Sequence, residues 1–405
     1  MIRAMRVEQL GTVLTLILAV GVTASVAQTA TAEGGQREAA LGLEQQGKNV
    51  EAETAWRAFL RTHPQNSEAY AHLGLLEARQ EHYKEAVPLY RNSLMLNPGM
   101  PGLRLNLGLA LFKGGELRQS IQEFKSLLKT KPPASPEVQQ LTILLGMAYY
   151  GLNEYAAAAP YLKKAAAQDP QNQHLRLALA HSCLWSRQYQ CVLDVYHEML
   201  TLNADSAEAD MLAGEALDEL KEYDGAIQQF RAAAKADPKH LDVHFGLGYL
   251  LWTQRRYPEA AQELQAELAG NPDHAQALVY LGDADIEMNQ TEAALPLLQK
   301  VETIAPALAL AHLDLGILYA DAGRQQDALQ ELKVAAKLAR DDVNVHWQLG
   351  RLYRTMGEKS AAKAEFEKAS SLNKINNDAL LDKMSGDHSQ PAQAREFRAA
   401  PAIKY

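Results

Sequence analysis

Cysteine is scarce in this 405-residue chain: Cys183 and Cys191 are the only two. Two thiols cannot by themselves complete a four-ligand zinc site. Their spacing is also not the Cys-x-x-Cys of a redox dithiol. There is no His-Glu-x-x-His, no Gly-x-Ser-x-Gly and no Gly-rich loop closing on Lys-Ser or Lys-Thr. The zinc-protease, serine-hydrolase and phosphate-loop readings fall with them. Basic charge is not in excess: 40 Lys and Arg stand against 49 Asp and Glu, a formal net charge of −9. Nucleic acid rewards a dense basic surface and is not an expected partner. Aromatic residues make up 7% of the chain, so any gathering of them is informative. Period-two alternation of useful length is missing, and the abundant alanine disfavours strands.

The N-terminus holds the one long apolar run. Arg3 and Arg6 precede Leu10 to Val22, and Ser25-Val26-Ala27 supplies small residues at a cleavage position. Residues 1–27 read as a secretory signal peptide cut after Ala27. The run is short of the roughly 20 residues needed to span a bilayer. An uncleaved N-terminal anchor is the alternative, and no cysteine is placed there for lipid attachment. Export implies a periplasmic or secreted protein in an oxidising compartment. There Cys183 and Cys191 form either a disulfide or two buried thiols. Residues 28–36, rich in Ala, Thr, Gly, Gln and Glu, are expected to be a linker.

From residue 37 a 34-residue period governs the chain. Leu247-Gly248, Leu251, Ala260, Leu264 and Pro272 return as Leu281-Gly282, Ala294, Leu298 and Pro306, then as Leu315-Gly316, Tyr319, Ala328 and Leu332. Earlier copies show Leu73-Gly74, Ala86, Tyr90 and Pro98, then Leu107-Gly108, Phe124 and Pro132. The last copy shows Leu349-Gly350, Tyr353, Ala362 and Phe366. The phase slips by four between Gly108 and Gly146, where prolines around Pro133 widen a loop. The first copy (Ala40, Trp56, Pro64) is weaker, as suits a terminal cap, and the fifth (Ala180, Cys183, Val192) is the most deviant. Gly or Ala in one helix and Ala in the next let two axes approach, and the large residue fills the remaining groove. Proline closes each second helix. The expected fold is all-α: about ten helix-turn-helix repeats over residues 37–376 in a superhelical solenoid, a short capping helix at 377–384 and a flexible tail at 385–405.

This pattern resembles the tetratricopeptide repeat (TPR) family over about 340 residues, with nine successive Ala, Ser or Val residues in register on the second helices. The resemblance implies an inner groove lined by first helices that binds peptides or partner proteins and is not enzymatic. Carried over by register, groove positions fall on Tyr150, His181, Trp185, Glu215, Asp218, Glu219, Phe245, Tyr249, Trp252, Tyr280, Trp347 and Arg351. The centre of that groove is expected to be aromatic, interrupted by acid. The family's carboxylate clamp for chaperone tails needs Lys and Asn at places where this chain has Ala71, Leu75, Leu105 and Leu109, with Asn106 alone. Chaperone-tail binding is therefore not expected.

No cofactor or metal is expected. His240 and His244 flank Asp242, but as ligands they would need further partners, and they read as a loop and a helix-start histidine. The sequence thus points to a non-enzymatic scaffold acting in the periplasm or cell envelope, in envelope or secretion-complex assembly, with an extended peptide or protein as partner. A carbohydrate-binding groove, with Trp185, Tyr249 and Trp252 as stacking platforms, is the alternative, and an enzyme a more distant one.

Overall fold

The computed structural model describes residues 32–133, 135–202 and 206–385. The leader at 1–27 and the tail beyond Ser385 lie outside the described residues. Every regular element among them is an α-helix. The chain divides into two compact units near residue 204.

The first unit is built from α1 (Ala32–Gln45), α2 (Asn49–Thr62), α3 (Ser67–Arg79), α4 (Tyr83–Leu96), α5 (Leu103–Lys113), α6 (Leu117–Leu128), α7 (Pro136–Gly151), α8 (Tyr155–Gln168), α9 (Gln173–Trp185) and α10 (Tyr189–Thr201). The second contains α11 (Ala207–Glu219), α12 (Tyr223–Ala236), α13 (Val243–Thr253), α14 (Tyr257–Gly270), α15 (Ala275–Glu287), α16 (Thr291–Ile304), α17 (Ala309–Asp321), α18 (Gln325–Leu338), α19 (Val343–Thr355) and α20 (Lys359–Ser385). Odd and even helices pair as hairpins, and each hairpin packs on the next within its unit. This is the TPR-like solenoid arrangement. In the second unit the first helices also touch in succession, α13 to α15 to α17 to α19, so their side is the inner one.

Local chemistry explains each hairpin. Asn66, Ser135, Asn172 and Ser206 cap first helices by accepting a backbone N–H from three residues on. Second helices end at Asn97, Asp169, Asp237 and Asn271, each followed by the proline that cannot continue the helix. Between the helices of each hairpin one residue turns left-handed: Gly47, Glu81, Gly115, Asn153, Arg187, Lys221, Arg255, Asn289, Gly323 and Gly357. After Arg255 the chain closes back in a Schellman pattern, with the Arg256 N–H donating to the Leu251 carbonyl at 2.9 Å. Trp56, Tyr90, Phe124, Leu162 and Leu264 are buried in the grooves that small residues leave.

Two boundaries differ from the sequence expectation. α1 already begins at Ala32, so the expected linker 28–36 is helical from that residue; the run from Gln36 to Gln45 propagates helix through Gly34 and Gly35. Residues 377–384 do not form a separate capping helix. They continue α20, because neither Gly nor Pro interrupts the chain between Lys359 and Ser385. In the first unit, Cys183 at the end of α9 and Cys191 at the start of α10 are joined in a disulfide with Cα atoms 5.9 Å apart.

Candidate functional site

In the second unit, α13 and α15 bring three of the anticipated residues, Tyr249, Trp252 and Tyr280, together with Asp283. Tyr249 and Trp252 are three apart on α13, and Tyr280 and Asp283 are three apart on α15, so each pair shares a helix face. The Tyr280 ring centroid lies 5.0 Å from Tyr249 and 4.8 Å from Trp252, and Tyr249 stacks on Trp252 at 6.1 Å. These spacings are those of attractive aromatic contacts. The Trp252 indole Nε1–H donates to Asp283 Oδ2 at 2.7 Å, which fixes the ring. Tyr249, Trp252, Tyr280 and Asp283 are all half-buried, forming a shelf rather than a pit.

Phe245 does not belong to the surface of this shelf. It is only 2% exposed and lies beneath, 4.6 Å from the His274 ring and 6.3 Å from Tyr280. Its position on α13 is the one that α15 covers, so it acts as floor and not as anchor. His181 in the first unit is buried as well, although it holds the ninth place that Tyr249 holds in its repeat. There Tyr150 meets Tyr155 and His181 edge-on at 5.8 and 6.4 Å, and Tyr155 stacks on Trp185, itself 36% exposed, at 6.2 Å.

The acidic residues lie on one face of α11. Glu215 and Asp218 are half-buried, and Glu219 is exposed. Burial holds the Asp218 carboxyl above the ordinary carboxylate range, Lys221 opposes that and Glu219 reinforces it. Trp347 and Arg351 stand apart on α19, both exposed, with Trp347 against Phe366 at 5.0 Å.

Sequence register overlooked the tyrosines that open second helices. Tyr257 approaches the shelf's acidic rim: burial raises its phenol, and the charges of Glu287 and Asp283 raise it further. Tyr155 lies beside Trp185 in the first unit, and burial alone raises its phenol. The signal was present as Tyr83, Tyr155, Tyr189, Tyr223 and Tyr257, each at the seventeenth place of its repeat.

One group of His and carboxylates among the described residues is close enough to share a cation: Asp242, Glu267 and His274, with ligand atoms within 4.8 Å of one another. Hydrogen bonding argues against that use. The Ala277 N–H donates to His274 Nδ1 at 3.1 Å, capping α15. The neutral ring then carries its proton on Nε2, which faces Asp242 Oδ1 at 3.3 Å. No lone pair on Nε2 is left for a metal. The cluster holds the start of α13 and α15 together instead. His244 likewise meets Glu263 at 2.7 Å, and His240 bonds the Leu241 carbonyl.

Helix pairs at a fixed 34-residue register, with half-buried aromatic side chains along the first helices, define a helical-repeat binding array. Three sequence models of the tetratricopeptide repeat match, covering residues 77–142 and 219–279, 37–101 and 193–240, and 141–172 and 343–376. The chain belongs to the tetratricopeptide repeat family. That fold is generically non-catalytic, and its modules bind protein and peptide partners.

The chain is similar to the anaphase-promoting complex subunit CDC16 of Saccharomyces cerevisiae, at 24% identity over 59% of this chain and 24% of that protein. It is similar to the DnaJ protein P58IPK homolog A of Oryza sativa, at 23% identity over 55% and 44%. The chain therefore spans less than half the length of these curated relatives. A solved structure of the C-terminal part of a TPR repeat-containing protein from Cytophaga hutchinsonii aligns at 16% identity with a TM-score of 0.45, over 58% of this chain and 96% of that one. No helix among the described residues is long and apolar enough to cross a membrane.

Proposed function

We propose that this protein is a non-enzymatic scaffold of the periplasm or cell envelope, which holds an extended segment of a partner protein against the first helices of its second unit and so serves envelope or secretion-complex assembly. The observation that carries this reading is the shelf of Tyr249, Trp252 and Tyr280, supported from beneath by buried Phe245 and rimmed by Asp283 and Glu287. Half-buried aromatic side chains held rigid by their neighbours lose little entropy on binding and tend to dominate affinity. An apolar side chain of the partner fits the ring faces, and a nearby Lys or Arg meets the acids. Glu215, Asp218 and Glu219 would steer such a segment more than hold it. Export is supported by the leader pattern of residues 1–27 and by the Cys183–Cys191 bridge.

The test has two stages. A photo-crosslinker placed at Tyr249, with Met95 on second helix α4 as control (74% exposed), identifies the partner in envelope extract by mass spectrometry. Titration of that partner then compares Trp252→Ala with the wild type. A loss of at least ~10-fold, about 1.4 kcal/mol, with unchanged helicity supports the shelf. Joint neutralisation by Glu215→Gln and Asp218→Asn should slow association, by less as salt rises. If both variants stay folded and bind as the wild type does, the shelf is not the site.

A further inference from the structure

The fifth place of each first helix in the second unit holds Met211, Phe245, Val279 and Leu313, and all four are buried. The residue one period later is Trp347, 47% exposed. The difference follows from the packing. Each interior first helix is covered by the one after it, as α13 is by α15, α15 by α17 and α17 by α19. Among the described residues no first helix follows α19. The apolar ring that elsewhere meets a neighbouring helix is therefore presented to solvent, with Phe366 beside it at 5.0 Å and Ile375 59% exposed on α20.

The charge around this face is predominantly basic. Arg351 and Arg354 flank Trp347 on α19, and Lys359 and Lys363 lie across on α20. The Arg354 guanidinium sits 5.7 Å from the Phe366 ring centre. An open cleft of about 470 Å³ runs between the helices, lined by Arg354, Lys359, Ala362, Lys363, Phe366, Glu367 and Ser370. Of the nearby carboxylates, Glu365 is paired with His346 at 2.6 Å and Glu367 lies 3.7 Å from Lys363. In the earlier repeats of this unit, the places of Arg351 and Arg354 are held by Glu215 and Asp218, by Tyr249 and Trp252, by Asp283 and Ile286, and by Ile317 and Ala320. Only the last repeat puts cations there.

We propose that this end face is a docking site for an acidic amphipathic helix of a partner protein, one that takes the place a following first helix would occupy. Its apolar stripe would cover Trp347 and Phe366, and its Glu or Asp residues would meet Arg351, Arg354, Lys359 and Lys363. A second copy of this chain fits poorly, since the same face would bring like charges together. Residues 386–405 also fit poorly: they carry Arg395, Arg398 and Lys404 against Asp387 and Glu396. The site is separate from the aromatic shelf and does not depend on it.

The probe is a fluorescein-labelled synthetic amphipathic helix of about five turns, with a Leu stripe flanked by Glu, titrated against the full chain by polarisation. The same peptide with Lys for Glu is the control. The proposal expects the Glu peptide to bind at least ~10-fold more tightly than the Lys peptide. It expects Trp347→Ala, and separately the pair Arg351→Glu and Arg354→Glu, each to weaken the Glu peptide at least ~10-fold with helicity intact, Trp347→Phe to retain binding, and Trp252→Ala to leave it unchanged. Equal binding of the two peptides, no binding of either, or indifference to Trp347→Ala would overturn it. So would displacement of the Glu peptide by a synthetic peptide of residues 386–405, which makes the chain's own tail the occupant. Trp347-dependent self-association in sedimentation would overturn it in favour of a second copy.

Discussion

A single methyl group at position 248 probes how closely α13 and α14 are packed. A Cβ built on Gly248 would lie 2.8 Å from Leu264 Cγ, 3.0 Å from Leu264 Cδ2 and 3.2 Å from the Leu264 backbone nitrogen. The leucine side chain can rotate away, but the backbone nitrogen cannot, so the two helices must part by a few tenths of an ångström. Overpacking of this kind costs about 1–3 kcal/mol. Alanine returns up to about 1 kcal/mol of helix propensity, which leaves Gly248→Ala destabilising by up to about 2 kcal/mol. Gly270, the last residue of α14, has nothing within 4 Å of the place its Cβ would take. Gly270→Ala should therefore be neutral or stabilising by up to about 1 kcal/mol. Repeat arrays open locally, so a single global midpoint is the wrong observable. Amide hydrogen exchange resolved to peptides from α13 and α14 should show faster exchange in Gly248→Ala and unchanged or slower exchange in Gly270→Ala. If Gly248→Ala protects these helices as well as the wild type does, or if the two substitutions behave alike, close approach at the glycine is not what sets the hairpin.

Three further outcomes follow from named contacts. Replacing Cys183 and Cys191 with serine should destabilise the α9–α10 hairpin by about 2–3 kcal/mol, the loop-closure entropy of a short ring, read as faster exchange confined to that hairpin; uniform exchange across the unit would contradict it. Arg255 holds a left-handed conformation at φ 58°, as its non-glycine register partners Glu81, Asn153, Arg187, Lys221 and Asn289 do at φ between 58° and 67°; Arg255→Gly should stabilise the α13–α14 hairpin by about 0.5–1 kcal/mol, and a loss of protection there would refute the turn's strain. Asp285 is buried near the C-terminal end of α15, where burial raises its carboxyl above the ordinary value and the helix dipole is unfavourable to negative charge. A raised folded-state value means that the fold prefers the protonated form, so this group's favourable contribution is lost as pH rises through that range. Asp285→Asn should be more stable than the wild type at neutral pH, and the difference should vanish below the ordinary carboxylate range, near about pH 3; a gain that is the same at both pH values would show that ionisation is not the cause.

The hairpins were legible because their packing rule is written in residue size. Gly248 needs Leu264, Gly350 needs Phe366 and Gly74 needs Tyr90, and these pairs recur at one spacing whatever surrounds them. Helix ends were legible where proline follows a cap, as at Asn97 and Asn271. They were less so at α20, where the register gives no stop and only the absence of Gly and Pro speaks. Turn geometry was hidden at Glu81, Arg187, Lys221 and Arg255, residues that give no hint of a left-handed backbone. The site was harder to see because Phe245 and Tyr249 are one helical turn apart on the same side of α13. Which of the two reaches solvent is decided by where α15 lies, and α15 is contributed by the next repeat.

That difference locates the functional information within a repeat. In the second unit the eighth place of every first helix is glycine: Gly214, Gly248, Gly282, Gly316 and Gly350. The adjacent ninth place reads Glu215, Tyr249, Asp283, Ile317 and Arg351. Packing against the second helix dictates the first series, since a Cβ at each of those glycines would come within 3.0 Å of a second-helix side chain. Nothing in the hairpin dictates the second series, whose residues are half-buried or exposed. Composition is thus free to vary where stability does not depend on it, and there it runs from acid to base: acidic on α11, aromatic on α13, acidic on α15, apolar on α17 and basic on α19. A segment lying along these first helices would meet a surface with polarity, and opposite ends of the segment would need opposite charge. Binding orientation, and not affinity alone, would then be set by the residue beside each glycine.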